Sequence, residues 1–230
     1  MTNYIIRGFS DGLMYCKSLP KSTKENPIRV GHRGFGDSVI ILSNSPNGKV
    51  LVSEINSDWK EVLRISGRTD IQVDKNKTLY ESYLQKSWDN ESLGKVSGMK
   101  VINSYVTGDY IRLDDKHFIE YPGLPKEYIT TQTIGKSKKA RIDDPKMLDK
   151  FIKSYGLPVF DLNEMHKIPL SQTAYIIQKA KFHVGIDSGS THLALTIKDK
   201  ADVHICLNPN RLTDVGKKWI EYGYNVKLIS

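Results

Sequence analysis

The sequence predicts an α/β protein made of two Rossmann-like halves, and three observations carry that expectation. Short apolar runs of strand length alternate with amphipathic stretches of helical period along most of the 230 residues. A glycine-rich loop follows an early strand-like run, and a loop of small, hydroxyl-bearing residues follows a late one. Between them Tyr121-Pro122-Gly123-Leu124-Pro125 interrupts both periodicities, which places a linker there and divides the chain into residues 1–125 and 126–230. Each part has the roughly 100 to 130 residues that a small domain needs to bury a core.

Taken in order, Tyr4-Ile5-Ile6-Arg7 and Leu13-Met14-Tyr15-Cys16 flank the turn-forming cluster Ser10-Asp11-Gly12 and read as an opening hairpin. A β/α pattern then begins: strand 28–30, glycine loop 31–36, a helix from about 37, strand 49–55, helix 57–66, strand 70–74 and helix 77–87. Residues 95–121 are less regular and read as short strands around Val101-Ile102, Tyr110-Ile111-Arg112 and Phe118-Ile119-Glu120. Beyond the linker come strand 128–133 and a helix with Asp144 as N-cap, Pro145 at its first position and Gly156 just past its end. Strand 157–160, helix 171–179, strand 182–186, a helical run 193–197, strand 203–207, helix 211–222 and strand 225–229 complete the alternation.

Composition narrows the setting. Hydrophobic residues make up 39% and charged residues 26%, as in ordinary globular proteins. The two cysteines, Cys16 and Cys206, lie far apart in sequence and read as buried apolar residues in a reducing cytoplasm. No run approaches the roughly 18 apolar residues of a membrane span, and Met1-Thr2-Asn3-Tyr4 does not resemble an export signal. The formal charge is +8, with the densest block at Lys136-Ser137-Lys138-Lys139-Ala140-Arg141. Such a field draws nucleotides, nucleic acid or acidic headgroups, although a basic run is most often simply a solvated surface.

The most specific motif is Asp187-Ser188-Gly189-Ser190-Thr191-His192, set between a strand-like and a helix-like run. Backbone N–H groups at a helix mouth bind phosphate, Gly189 admits a ligand close to the backbone, and Ser188, Ser190, Thr191 and His192 add donors. The chemistry suggested is that of a nucleotide diphosphate. Asp187 cannot favour phosphate itself; it fixes the loop or meets a sugar hydroxyl. No acidic or His/Cys cluster with ligand spacing calls for a divalent metal, and no cofactor beyond the nucleotide donor is implied.

The stretch from Leu170-Ser171-Gln172 through Lys179-Ala180-Lys181-Phe182-His183-Val184-Gly185-Ile186 to Asp187–Ala194 resembles the heptosyltransferase-like glycosyltransferases of the GT-B architecture, whose two Rossmann-like domains face a cleft. It matches that family's helix, strand, D-[ST]-G-x-x-H-L-[AT] pattern. A shorter match is Ile28-Arg29-Val30-Gly31-His32-Arg33-Gly34-Phe35-Gly36-Asp37-Ser38-Val39-Ile40, which resembles the family's first strand and glycine-aspartate loop. The chain departs from the family where Ala140-Arg141-Ile142-Asp143 replaces its usual tryptophan-proline, and where an acidic helix is trimmed to Asp161-Leu162-Asn163-Glu164.

The resemblance implies metal-independent transfer of a sugar from a nucleotide-diphosphate donor, with inversion. Asp37 matches the loop aspartate that acts as base on the acceptor hydroxyl, with Gly34 and Gly36 letting the loop fold tightly; from spacing alone, Asp37 caps the following helix equally well. His192 and the N–H groups near Gly189, Ser190 and Thr191 would hold the diphosphate, and Lys138 and Lys139 would neutralise it.

Other classes remain in view. Gly31-His32-Arg33-Gly34-Phe35-Gly36 does not fit the dinucleotide fingerprint, and there is no P-loop. A non-catalytic nucleotide or nucleic-acid binding module is a second class. For the acceptor, the charge of +8 favours DNA carrying hydroxymethylated pyrimidines, as in bacteriophage genomes, with the base flipped out among Phe35, Trp59, Tyr80, Tyr83 or Trp88. A saccharide or lipid-linked glycan is the alternative acceptor. No pattern assigns an oligomeric state.

Overall fold

A computed structural model describes residues 112–135, 140–164 and 167–230, and, N-terminal to these, five strands together with residues 36, 39, 65–67 and 110. Two compact units emerge, Met1–Ile111 and Arg112–Ser230.

The first unit holds a five-stranded sheet of β1 (Asn3–Arg7), β2 (Ile28–Val30), β3 (Val50–Ser53), β4 (Gln72–Asp74) and β5 (Met99–Asn103). Its order is β4-β3-β2-β1-β5, and every pairing is parallel. The expected opening hairpin is corrected here. β1 pairs in parallel with β2 through Tyr4↔Ile28 and with β5 through Ile5↔Val101, so both its edges are taken and no antiparallel neighbour has room beside it. The apolar run Tyr4-Ile5-Ile6 is what a strand interior to a parallel sheet requires. Gly36 and Val39 are helical and Val39 is buried. Asp37, Gly34, residues 13–16 and the helix expected at 77–87 lie outside the described residues.

The second unit contains β6 (Ile129–Gln132), α1 (Pro145–Lys153), β7 (Val159–Asp161), α2 (Leu170–Lys179), β8 (Phe182–Gly185), α3 (Gly189–Ile197), β9 (Val203–Leu207), α4 (Asp214–Glu221) and β10 (Val226–Leu228). Its sheet is again parallel throughout, in the order β10-β9-β8-β6-β7. Two connections depart in opposite directions from the middle: β6 leads out to β7, while β8 leads out to β9. The switch point of this doubly wound sheet therefore lies between the carboxyl ends of β6 and β8, where such folds place their ligands.

Local chemistry explains the elements. The Asp144 carboxylate accepts from the N–H groups of Lys146 and Met147, capping α1 for about 1 kcal/mol. Gly156, at φ +63°, takes the left-handed conformation that ends the helix. One face of the sheet packs Ile129, Val184, Ile186 and Cys206 against Leu148 and Ile152 of α1, two side chains one turn apart, each contributing about 2 kcal/mol by burial. Burial pushes the Cys206 thiol up to about 12, so it behaves as a small apolar residue, as expected; Cys16 lies outside the described residues.

Two expectations about residues 95–125 are corrected. Phe118-Ile119-Glu120 forms no strand, and Asp115–His117 is a single 3₁₀ turn capped by Asp114. The units also part at Ile111, not at residue 125. The cause is a set of hydrogen bonds: Leu113 N–H donates to Thr196 O on α3 (3.1 Å), Ile119 N–H to Ser171 O on α2 (3.2 Å), and Gln172 Nε2 to Glu120 O (3.4 Å). Arg112 adds an ion pair to Asp199 at 2.6 Å. Residues 112–121 thus strap the helices of the second unit. Among the described residues, no helix is long and apolar enough to cross a membrane.

Candidate functional site

Parallel register sets the site. Thr130 lies level with His183, and Gln132 with Gly185. Alternation along a strand puts all four on one face, opposite the apolar layer under α1. Three of them carry polar side chains, where a parallel sheet usually presents apolar ones.

That polar face meets α3. His183 is fully buried; its Nδ1 is 3.0 Å from Thr130 Oγ1 and its Nε2 is 3.3 Å from Thr191 Oγ1. Thr191 already donates its proton to Ile186 O at 2.6 Å, so its oxygen accepts from His183 Nε2–H, which leaves Nδ1 to accept from Thr130. The imidazole is neutral. Burial, with the charges of Lys198 and His204 adding to it, pushes its pKa down to about 3.

A consequence for stability follows from the sign of that shift. The unfolded histidine takes up a proton near pH 6.5 and the folded one resists it, so this contribution is complete above about pH 6.5 and is lost as pH falls toward 3. Urea unfolding between pH 6 and pH 4 should lose stability by about 1.4 kcal/mol per pH unit relative to a His183→Gln variant. A pH dependence identical in the two proteins would show that His183 is not buried in its neutral form.

Above this network the mouth of α3 is assembled. Ser188 is the N-cap by position, yet its side chain makes no cap hydrogen bond; the cap is supplied across the switch point by Gln132. Gln132 Oε1 accepts from the Ser188 hydroxyl (2.8 Å), from Ser190 N–H (3.3 Å) and from the Ser190 hydroxyl. Its Nε2 donates to Ile134 O at 3.3 Å, so donor and acceptor on either side fix which way the amide points. Ser188 Oγ also lies 3.4 Å from Thr191 Oγ1. Hydroxyls and backbone N–H groups therefore converge at a helix N-terminus, where the dipole favours negative charge.

The remaining motif residues brace the loop. Asp187 Oδ2 accepts from the Thr213 hydroxyl at 2.7 Å, and its Oδ1 is 3.3 Å from His192 Nε2. The His192 ring is buried against Trp219, with centroids 5.0 Å apart. Thr213 in turn accepts from Gly216 N–H, capping α4. Asp187 thereby ties the β8–α3 loop to α4 through side chains.

The described residues on either side of the lysine block are pinned. Asn163 Oδ1 accepts from Thr133 N–H and Ile134 N–H, each at 2.9 Å. Asn208 Nδ2 donates to Arg141 O (3.3 Å) and to Asp143 Oδ2 (2.8 Å), while Arg211 pairs with Asp143 Oδ1 at 2.7 Å. Both anchors stand just past the carboxyl ends of strands, β7 and β9. Lys136, Lys138 and Lys139 lie outside the described residues. Among the described residues, no group of three His, Cys, Asp or Glu side chains is gathered as a metal site would need.

The structure thus brings Asp187, Ser188, Gly189, Ser190, Thr191 and His192 together at the switch point and adds Gln132, His183, Thr130, Thr213 and Asn163, which sequence reasoning missed. A signal for three of them was present: Thr130, Gln132 and His183 are polar residues inside strand-like runs, with Thr130 and Gln132 two apart, and such residues on a buried strand need partners.

No family model and no curated protein matches the chain. Among solved structures it is similar to the iron-containing dodecameric glycosyltransferase TibC of enterotoxigenic E. coli, at 12% identity and a TM-score of 0.48, over 90% of this chain and 58% of that one. It is similar also to the dodecameric iron-containing heptosyltransferase TibC in complex with ADP-D-β-D-heptose, again at 12% identity and 0.48, over 93% of this chain and 61% of that one. The chain spans about three fifths of the length of these structures.

Proposed function

We propose that the protein is a nucleotide-sugar-dependent glycosyltransferase of GT-B type, with the donor diphosphate held at the mouth of α3. The observation that carries this reading is the convergence of Ser188, Ser190 and the α3 N–H groups at the switch point between β6 and β8, within the D-S-G-x-x-H run. Negative charge that grows on the departing diphosphate is stabilised there by fixed donors and by the helix dipole. His192 and Asp187 hold the loop in place. Lys138 and Lys139 supply the compensating charge without a metal ion.

In the first unit Asp37 takes the proton of the acceptor hydroxyl as that oxygen attacks the anomeric carbon from the side opposite the leaving diphosphate, which inverts the configuration. The acceptor we favour is a hydroxymethylated pyrimidine in DNA, on the ground of the +8 charge. The test is consumption of nucleotide sugars from a pooled set, followed by mass spectrometry, with hydroxymethylated DNA or a glycan pool as acceptor. Sugar on the DNA, with DNA retention that weakens steeply as salt rises, is the expected result. Transfer to glycans alone would replace the acceptor, and tight nucleotide-sugar binding with no transfer to either would identify a binding module.

A further inference from the structure

We propose that Gln132 is an internal competitor of the diphosphate at the mouth of α3 and so sets how tightly the second unit holds its donor. The inference rests on the diphosphate reading of that mouth. A phosphate oxygen is an acceptor that seeks the N–H and O–H groups of the first helical turn. The Gln132 amide oxygen already takes three of them, the Ser188 hydroxyl, Ser190 N–H and the Ser190 hydroxyl. One donor cannot serve two acceptors at full strength, so the amide and the phosphate exclude each other from the mouth. A cap from the helix's own sequence would track α3 wherever it moved. This one comes from β6, 56 to 58 residues away, and is held in aim by its second bond to Ile134 O. Ile134 is 68% exposed, so the far end of the amide reaches the surface. When phosphate takes the Ser190 donors, the Gln132 oxygen is released.

The competition predicts the sign of a substitution, which a merely structural cap does not share. Gln132→Ala removes the competitor and should tighten binding of inorganic pyrophosphate and of ADP to the full chain by about fivefold, the value of one net hydrogen bond. Gln132→Asn, too short to reach Ser190, should gain similarly. Gln132→Glu places a like charge on the same donors and should weaken both ligands by at least about tenfold. Calorimetric titration, with circular dichroism to confirm that each variant is folded, reads all three. If wild type binds both probes and the Ala and Asn variants bind equally or more weakly, the inference is wrong and the diphosphate reading stands. If pyrophosphate follows the predicted order while ADP does not bind at all, the inference stands and the nucleotide reading falls. Failure of wild type and both truncated variants to bind pyrophosphate overturns both.

Discussion

Asp37→Asn should lower glycosyl transfer by about three orders of magnitude while leaving donor binding unchanged. General base catalysis by a positioned side chain is worth roughly 10²- to 10⁴-fold, and an amide cannot take the acceptor's proton. Asparagine is chosen because it separates the two roles open to this residue. As a helix N-cap, Asn serves about as well as Asp, so a purely capping Asp37 predicts a variant with nearly full turnover and unchanged stability. As a base, it predicts a fall in kcat with the dissociation constant of the nucleotide sugar preserved, because the proposed donor contacts do not include Asp37. Single-turnover rates beside equilibrium binding distinguish these outcomes, and full turnover by the Asn variant would remove Asp37 from the chemistry.

Gly185→Ala should destabilise the second unit by about 3 kcal/mol and abolish diphosphate binding at ordinary concentrations. A methyl group at residue 185 would sit 2.5 Å from Thr191 Oγ1 and 2.7 Å from His183 Nε2, with Gln132 O at 3.4 Å. Neither near neighbour is the loose end of a flexible side chain: Thr191 and His183 are wholly buried and bonded to each other. Relief requires α3 to lift or the imidazole to leave Thr191, and overpacking of a filled core costs roughly 1 to 3 kcal/mol before any buried donor is left unpaired. Because Thr191 lies on the same turn of α3 as the proposed diphosphate donors, the loss of stability and the loss of binding should come together. Chemical unfolding and pyrophosphate titration measure the two, and a Gly185→Ala protein with native stability would contradict the packing described for His183.

The separation between what was legible in the chain and what was not follows the range of the interactions. Asp144, Pro145 and Gly156 announce α1 through their own backbone chemistry, and the structure finds the cap, the helix and the left-handed terminator where they stand. The run from Asp187 to His192 is likewise local, a strand end followed by a helix start. The place of β1 was not local. Ser10-Asp11-Gly12 is good turn chemistry, but pairing of β1 with β2 and with β5, nearly 100 residues on, depends on which strands compete for its edges. The linker failed for a related reason: Tyr121-Pro122-Gly123 breaks a periodicity, while the bonds from Leu113 and Ile119 decide which body the segment joins. Gln132 is the sharpest case. Nothing in Thr130-Thr131-Gln132 names Ser190 as its partner, and only the β6–β8 register brings them level. His183 was hidden inside a strand-like run, although a polar ring there already demanded a buried partner.

Amide chemical shifts test most directly whether the mouth of α3 holds the donor diphosphate. Titrating a nucleoside diphosphate sugar into isotopically labelled protein should move the N–H resonances of Gly189, Ser190 and Thr191 first and farthest, with the Gln132 side-chain amide shifting in step. Perturbations that cluster elsewhere while those residues stay still would contradict it.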